Sequence, residues 1–283
     1  MDDAVDAAQL AMLYEVAGTP KPGNVDRHRD LASLRFDRFL AGTVGSRTGL
    51  AMAASGEPVG TAFERAVAGM ARLAGTNTQF GSLLLLVPLV RATRSSLSPA
   101  GVDRITLATT VDDAVAFYRA FEHVDVAVGD PPAEAPELDV NRGADASGDL
   151  NARDLTLREV LALGVPGDDV AREWVTGFER SFAAAETLSE ASGPILDRVA
   201  STYLSALAAR PDSLVAIRHG DAVAEDVRER AASLLERDAF ETDRAALDAF
   251  ATELADREIN PGTTADIIAA GCFISLYHGR IEP

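Results

Sequence analysis

The sequence predicts an all-α protein, and three observations support this class. Apolar residues recur at helical spacing in many segments; near the N-terminus they are Val5, Ala8, Met12 and Val16. Alternation with a period of two, which a half-buried strand would show, is confined to the short VDVAV stretch at 124–128. Residues that start and end helices flank the periodic segments. We expect a single globular domain of roughly ten helices over residues 1–283.

The first predicted helix ends at the Gly-Thr-Pro sequence of residues 18–20, because glycine and proline both terminate helices. The next periodic segment contains Phe63, Val67 and Met70, and Gly75 ends it. Both segments therefore have a defined C-terminal end.

Two further helix starts have capping signatures. Ser98 is followed by Pro99, a residue favoured at the first helical position. Thr156 is followed three residues later by Glu159, which is the capping-box spacing. The remaining helical segments are predicted at about 168–189, 194–209, 222–237, 242–255 and 264–277.

Residues 123–150 interrupt the helical pattern, because this segment is acidic and rich in proline and glycine. A linker between two domains is one interpretation. Sequence motifs described below lie on both sides of the segment, which favours a long surface excursion within one domain.

The charge balance limits the class of partner. The chain of 283 residues has 26 Lys and Arg against 44 Asp and Glu, a net charge of −18. A nucleic-acid-binding surface needs a basic face, so we expect no nucleic-acid partner. The acidic surface and the use of arginine for lysine predict a halophilic protein adapted to a high-salt cytoplasm; a merely acidic protein is the alternative.

Compartment signals are sparse. Cys272 is the single cysteine, so no intramolecular disulfide can form, and its apolar context predicts a buried side chain. The longest apolar run, residues 83–90, is too short to span a bilayer. The N-terminus lacks the pattern of a secretory signal. We expect a cytoplasmic protein with no membrane partner.

Lys21 is the one lysine of the chain, between Pro20 and Pro22. The surrounding stretch is one of four that are neither core-like nor typical of a solvated helix. Each contains glycine or proline, which permits close approach of the backbone to a ligand. The four stretches are TPKPGNVDRHRD (19–30), GTNTQFGS (75–82), PDSLVAIRHG (211–220) and EINPGTTAD (258–266).

Two of these stretches, at 75–82 and 258–266, lead directly into predicted helices. Free N–H groups at a helix start favour an anion such as phosphate, although ordinary capping explains the same residues. The candidate nucleotide- or phosphate-binding residues are Lys21, Gly23, Asn24, Arg27, Asn77, Thr78, Arg218, Gly262, Thr263 and Thr264. Carboxylates suit Mg²⁺, and the candidate metal ligands are Asp30, Asp212 and Asp266.

Several known nucleotide and catalytic motifs are missing from the sequence. It has neither the P-loop pattern GxxxxGK[ST] nor GxGxxG, and no CxxC, HExxH or GxSxG. His28 could act as a general acid or base, although a single loop histidine is more often a hydrogen-bonding partner.

The motifs TPKPGNVD, HRD, GTNTQFG, DSLVAIRHG and NPGTTADIIA resemble, in this order, those of the triphosphoribosyl-dephospho-CoA synthase family. The resemblance spans Thr19 to Ala269. It implies an all-helical enzyme that transfers the triphosphoribosyl group of ATP to the 2′-hydroxyl of dephospho-CoA and releases adenine. Mg²⁺ and cations would hold the triphosphate, and ATP and dephospho-CoA would be the small-molecule partners; the oligomeric state stays open.

The implied chemistry at the ribose C1′ of ATP passes through a cationic transition state. A carboxylate could stabilise this charge or deprotonate the acceptor hydroxyl. The candidate catalytic residues are Asp26, His28 and Asp30. Lysine at position 21 would place a compact ammonium against phosphate, a role for which the larger planar guanidinium of arginine is a poor substitute.

The sequence departs from the family pattern in the second motif. Gln79 and Phe80 stand where the family has a His-Lys pair, and the asparagine of the family's DTN element is absent from 211–220. The acceptor could therefore be another nucleotide or cofactor. Three further interpretations stay open: a Mg²⁺-dependent nucleotide hydrolase, a nucleotide- or CoA-binding protein without catalysis, and a structural helical protein whose four motif loops lie far apart.

Overall fold

Helices account for nearly all regular structure in the computed structural model, which describes residues 3–131 and 134–282. The first eight are α1 (Ala4–Ala17), α2 (Phe36–Ser55), α3 (Val59–Ala74), α4 (Phe80–Ala92), α5 (Pro99–Leu107), α6 (Val111–Ala120), α7 (Ser147–Arg153) and α8 (Leu157–Gly164). The next eight are α9 (Asp169–Thr176), α10 (Glu179–Glu190), α11 (Ile195–Ala209), α12 (Ser213–His219), α13 (Asp221–Glu236), α14 (Ala239–Thr242), α15 (Arg244–Asp256) and α16 (Gly262–Tyr277). The all-α class is confirmed.

The described part of the chain has sixteen α-helices where roughly ten were expected. One reason is that the predicted segment 168–189 is two helices, because Gly177 takes a left-handed conformation (φ 70°) between α9 and α10. Another is that α7, α12 and α14 are at most seven residues long, too short for periodicity to reveal.

The capping residues read from the sequence have their predicted geometry. The Ser98 side chain accepts a hydrogen bond from the Gly101 N–H at 3.1 Å, and Thr156 and Glu159 form a reciprocal capping box. Gly75 ends α3 in the left-handed conformation that glycine adopts without steric cost.

The longest helix, α2, was not predicted, because its interface with α3 uses glycines in place of large apolar residues. A Cβ atom at Gly45 would lie 2.2 Å from the Gly69 carbonyl oxygen, and one at Gly49 would lie 2.3 Å from the Ala66 nitrogen. The two backbones are thus in direct contact, an interface that hydrophobic periodicity does not reveal.

Two helices, α4 and α16, run through the centre of the core. Residues 83–90 of α4 are almost fully buried, and α16 packs against α1, α4, α10 and α11. Both are apolar on all sides, as central helices are. Their N-terminal ends meet, and the Ser82 hydroxyl of α4 donates a 2.6 Å hydrogen bond to Asp266 Oδ1 of α16.

The irregular segment 123–150 is only partly a surface excursion. Ala146 and Leu150 are fully buried, and the Tyr118 hydroxyl of α6 donates a 2.7 Å hydrogen bond to the Leu138 carbonyl oxygen. Pro132 and Ala133 lie outside the described residues. The VDVAV stretch at 124–128 is irregular, not a strand. No helix in the described part of the chain combines the length and apolar character needed to cross a membrane.

Candidate active site

The four motif loops converge on one cleft of about 740 Å³. Each loop contributes to its lining: Asn24 from the first, Asn77 from the second, Arg218 from the third and Asp266 from the fourth. These residues are up to 242 positions apart in sequence (266 − 24), so the tertiary fold brings them together. This convergence contradicts the interpretation as a structural helical protein with scattered loops.

The cleft has a polar side formed by helix starts. Asn24 Nδ2 donates a 2.8 Å hydrogen bond to Asn260 Oδ1, which ties the first loop to the start of α16. The Ser213 hydroxyl donates at 3.0 Å to Thr263 Oγ1, which ties the start of α12 to α16. The helix starts therefore form one continuous polar surface that can face phosphate groups.

Six of the ten candidate phosphate-binding residues border this cleft: Asn24, Asn77, Thr78, Arg218, Gly262 and Thr263. The other four are Lys21, Gly23, Arg27 and Thr264, which do not line it. Arg27 is exposed on the outer surface of the first loop, whereas the other three are buried beneath the cleft.

Lys21 is completely buried and does not face the cleft. Its ammonium donates to Glu15 Oε1 and, at 2.9 Å, to Asn24 Oδ1, and it lies 5.7 Å from the centre of the Tyr203 ring. Both acceptor side chains border the cleft. The lone lysine therefore acts on the cleft through Glu15 and Asn24, not as a direct ligand of a bound molecule in this arrangement.

Gly23 permits the close approach of the first loop to the segment before α16. Its backbone is left-handed (φ 73°), and a Cβ atom there would lie 2.1 Å from the Ile259 carbonyl oxygen. This contact sets Asn24 against Asn260. Gly23 is thus a geometric requirement of the site and does not itself line the cleft.

The three candidate catalytic residues do not border the cleft. Asp26 is fully buried and accepts hydrogen bonds from the Thr19 hydroxyl (2.9 Å), the Lys21 N–H (3.3 Å), the His28 N–H (2.8 Å) and the Arg29 guanidinium (3.0 Å). His28 and Asp30 are exposed on the outside of the same loop. The structure thus gives Asp26 an organising position within the loop and places His28 and Asp30 away from the cleft.

The proposed metal set is not brought together either. Asp212 accepts four hydrogen bonds, from the Leu214 and Val215 N–H groups and from both the N–H and hydroxyl of Thr264, so its lone pairs are occupied. Asp30 accepts from the Phe36 N–H at the start of α2. Within residues 3–131 and 134–282, no group of three or more His, Cys, Asp or Glu side chains could hold a metal ion.

Glu15 and Asp266 are the two carboxylates at the inner end of the cleft, and sequence reasoning assigned catalysis to neither. Burial raises the pKa of Glu15, and the Lys21 ammonium opposes this effect. Burial, together with the charges of Glu15 and Asp212, raises the pKa of Asp266 to about 8, against the opposing hydrogen bond from Ser82. Asp266 is therefore protonated at neutral pH.

Part of the cleft wall is aromatic. Phe80 packs against Phe121 and Phe117, with ring centres 4.8 Å and 6.4 Å away, and all three rings border the cleft. Residues 125–131, which were expected to be surface excursion, line the same wall. Such a surface can stack a planar base or cover an apolar chain.

The two residues of the second motif that differ from the family pattern lie in different environments. Gln79 is buried, and its Nε2 donates a 2.9 Å hydrogen bond to the Thr43 hydroxyl on α2, away from the cleft. Phe80 faces the cleft. The positions of the family's His-Lys pair thus provide a helix-helix contact and an apolar wall, with no positive charge.

The residues that line the cleft are predominantly acidic. Among the described residues that line it, Arg218 is the single fixed cation. The carboxylates that line it are Glu15, Asp125, Asp130, Glu134, Asp139, Asp168 and Asp266. A polyphosphate therefore needs accompanying cations to enter this cleft.

Polar helix starts, buried carboxylates and an aromatic wall around one cleft define an all-helical protein with a candidate active site. A profile of the CitG family, ATP:dephospho-CoA triphosphoribosyl transferase, matches residues 1–282. The chain belongs to this transferase family, which confirms the resemblance read from its motifs.

The fold is also that of a solved structure from Archaeoglobus fulgidus, described as a triphosphoribosyl-dephospho-CoA synthase. The two chains are 24% identical and superpose with a TM-score of 0.70, over 86% of this chain and 100% of the other. No curated protein sequence matches the chain significantly.

Proposed function

We propose that this enzyme transfers the triphosphoribosyl group of ATP to the 2′-hydroxyl of dephospho-CoA and releases adenine. The observation that carries the proposal is the convergence of all four family motifs on one cleft with a polar side and an aromatic side. The family assignment supplies the reaction class. The cleft volume of about 740 Å³ is in the range of small-molecule sites.

The two sides of the cleft suggest how ATP binds. The triphosphate lies against the starts of α4 and α16, where Asn77, Thr78 and Thr263 offer hydrogen-bond donors and Arg218 offers a positive charge. The adenine ring lies against Phe80 and the neighbouring aromatic rings. This placement leaves the ribose, the reacting part of ATP, at the inner end of the cleft.

We propose that Mg²⁺ enters with the triphosphate. The acidic cleft fits this, because Mg²⁺ commonly binds through substrate phosphates plus one or two carboxylates and does not need a protein-built cage. Asp168 is the carboxylate we assign to it: Oδ1 caps α9, and Oδ2 accepts no hydrogen bond from the described residues. Bound Mg²⁺ would neutralise phosphate charge. Asp168 and Arg218 would orient the triphosphate.

The test uses the purified protein with ATP, Mg²⁺ and dephospho-CoA at high salt. We expect free adenine and a dephospho-CoA product heavier by one triphosphoribosyl group, measured by chromatography and mass spectrometry. ADP without adenine would contradict the proposal. Adenine formed equally well without an acceptor would support the hydrolase interpretation, and ATP binding without turnover would support the non-catalytic one.

A different acceptor is the second candidate, and Phe80 is the observation that favours it. An aromatic ring lies where the family motif has a basic side chain, so the cleft offers less positive charge to a phosphate group of the acceptor. Adenine release in the presence of a panel of alcohols with and without phosphate groups separates the candidates. Phe80→Lys is expected to shift preference toward the more highly phosphorylated acceptors.

A further inference from the structure

We propose that Glu15 and Asp266 form the proton-transfer pair of this active site, with Glu15 as general base for the acceptor hydroxyl and Asp266 as general acid for the departing base. The inference rests on the proposed function and deepens it. Both side chains border the same cleft, from two helices, α1 and α16, that pack against each other.

The two carboxylate oxygens of Glu15 differ in their hydrogen bonding. Its Oε1 is bound by the Lys21 ammonium, whereas Oε2 accepts no hydrogen bond from the described residues. Arg172 Nε is the one fully buried side-chain polar atom without a partner in this part of the chain, so Oε2 is not sealed inside the core. Glu15 lines the cleft, and Oε2 is the oxygen that we assign to proton transfer.

Asp266 is positioned by α4. Its Oδ1 accepts the 2.6 Å hydrogen bond from the Ser82 hydroxyl, and its Oδ2 lies directly over Gly81. A Cβ atom at position 81 would lie 2.0 Å from Oδ2, so a side chain there would displace the carboxyl group. The second motif thus gives Asp266 both a hydrogen bond and the space to face the cleft.

The two carboxyl groups differ in whether a cation stands beside them. Asp266 faces Glu15 on α1, Asp212 at the start of α12 and the neutral Ser82 on α4, and with burial these raise its pKa to about 8. Burial raises the pKa of Glu15 as well, but the Lys21 ammonium that binds its Oε1 opposes this rise. A carboxyl group beside a cation, paired with one that accepts a hydrogen bond from a neutral hydroxyl group, is a suitable arrangement for a general base and a general acid.

The reaction balances through this pair. The acceptor oxygen bonds to C1′ of the ATP ribose as the C1′–N9 bond to adenine breaks. The hydroxyl proton passes to Glu15, and the Asp266 proton passes to adenine, which retains the bonding electron pair. One proton returned from Glu15 to Asp266 restores the starting state.

Lys21 is the positioning residue of the pair. It touches neither the cleft nor a bound molecule, but it fixes Glu15 Oε1 and Asn24 Oδ1. In this arrangement the chain's one lysine lies beneath the base and orients it. A bulkier guanidinium would have to displace Glu15 or Asn24 from a site with no exposed area.

The experiment compares Glu15→Gln and Asp266→Asn with Asp37→Asn, which removes an exposed carboxylate of α2. Each carboxamide variant should bind ATP but release adenine on the order of 10²–10⁴-fold more slowly, the usual size of general acid–base effects. Asp37→Asn should match the wild type. Circular dichroism checks that each variant is folded.

A substrate with a different leaving group distinguishes a catalytic role of Asp266 from a purely structural one. Ribose 5-triphosphate with a p-nitrophenyl leaving group needs no proton on departure, so Asp266→Asn should use it nearly as fast as the wild type. Glu15→Gln should stay slow on it. Equal loss of both substrates in Asp266→Asn, or adenine release by either variant within about threefold of the wild type, would overturn the proposal.

An infrared titration separates this inference from the proposed function. A protonated carboxyl band at pH 7 that disappears in Asp266→Asn supports the acid assignment, even where wild-type protein releases no adenine and the transferase proposal fails. A band that is absent in the wild type overturns the acid–base pair, even where adenine release is normal.

Discussion

The first motif loop has an inner half and an outer half, and they differ sharply. The inner half, residues 19–26, is buried and reaches the cleft through Asn24 and the Lys21–Glu15 pair. The outer half, residues 27–30, is mostly exposed and borders no part of the cleft. A residue's presence in a motif therefore does not identify it as a reacting group, because the burial of side chains and the surface that they face differ within one short stretch.

The largest effect is expected from Lys21→Met in the inner half. The substitution leaves Glu15 buried without its partner, and breaking a buried ion pair in this way costs about 3–5 kcal/mol. Denaturant unfolding measures this loss. The double variant Lys21→Met with Glu15→Gln should recover part of it; a single variant as stable as the wild type would contradict the buried pair.

Gly23→Ala should be the next largest change. Its Cβ atom would meet the Ile259 carbonyl oxygen, and alanine is strained at a positive φ, so we expect a loss of more than about 1 kcal/mol. The displaced loop should also separate Asn24 from Asn260 and weaken ATP binding, which calorimetry measures. Gly148→Ala is the control, because an added Cβ there meets no atom within 4 Å and Gly148 does not line the cleft.

A pH dependence of stability is expected from the buried cleft carboxyl group of Asp266, and no fully buried carboxyl group lies in the outer half, residues 27–30. The folded-state pKa of Asp266 is raised to about 8, so the stability that its protonation contributes is present at acid pH and is lost as pH rises through about 8. Unfolding free energies from pH 5 to 9 should therefore fall less in Asp266→Asn than in the wild type.

The smallest effect is expected from His28→Ala in the outer half. His28 is exposed, and its ring contacts the neighbouring Arg27 at 3.3 Å and not the cleft. We expect a change in unfolding free energy within about 0.5 kcal/mol and adenine release close to wild type. A loss of activity comparable to that of Glu15→Gln would remove the distinction between the inner and outer halves.

Several features of the site were predictable from the sequence because they depend on local chemistry. The polar helix start at Asn77 and Thr78, and that at Gly262 and Thr263, followed from residue type and position. The aromatic wall was not predictable, since Phe121 and residues 125–131 approach Phe80 only in the tertiary structure.

Glu15 shows most clearly why the site could not be completed from sequence. It lies in a helix among apolar residues, and an acidic residue in a helix is most often a solvated one. Packing of α1 against α16 buries it, and the first loop then places Lys21 beside it. The proposed role of Glu15 depends on its burial by other helices, and no local sequence pattern indicates this burial.

The sequence by itself determined the helical class, several helix ends and the family, because periodicity, caps and motifs are local properties of the chain. The tertiary structure alone decided which motif residues face the cleft. Direction and burial depend on contacts between residues far apart in sequence, such as Asn24 with Asn260 and Ser82 with Asp266. Burial between packed helices raises the pKa of both Glu15 and Asp266. The chemistry that we propose therefore lies at these two buried carboxyl groups and not in the exposed outer half of the first loop.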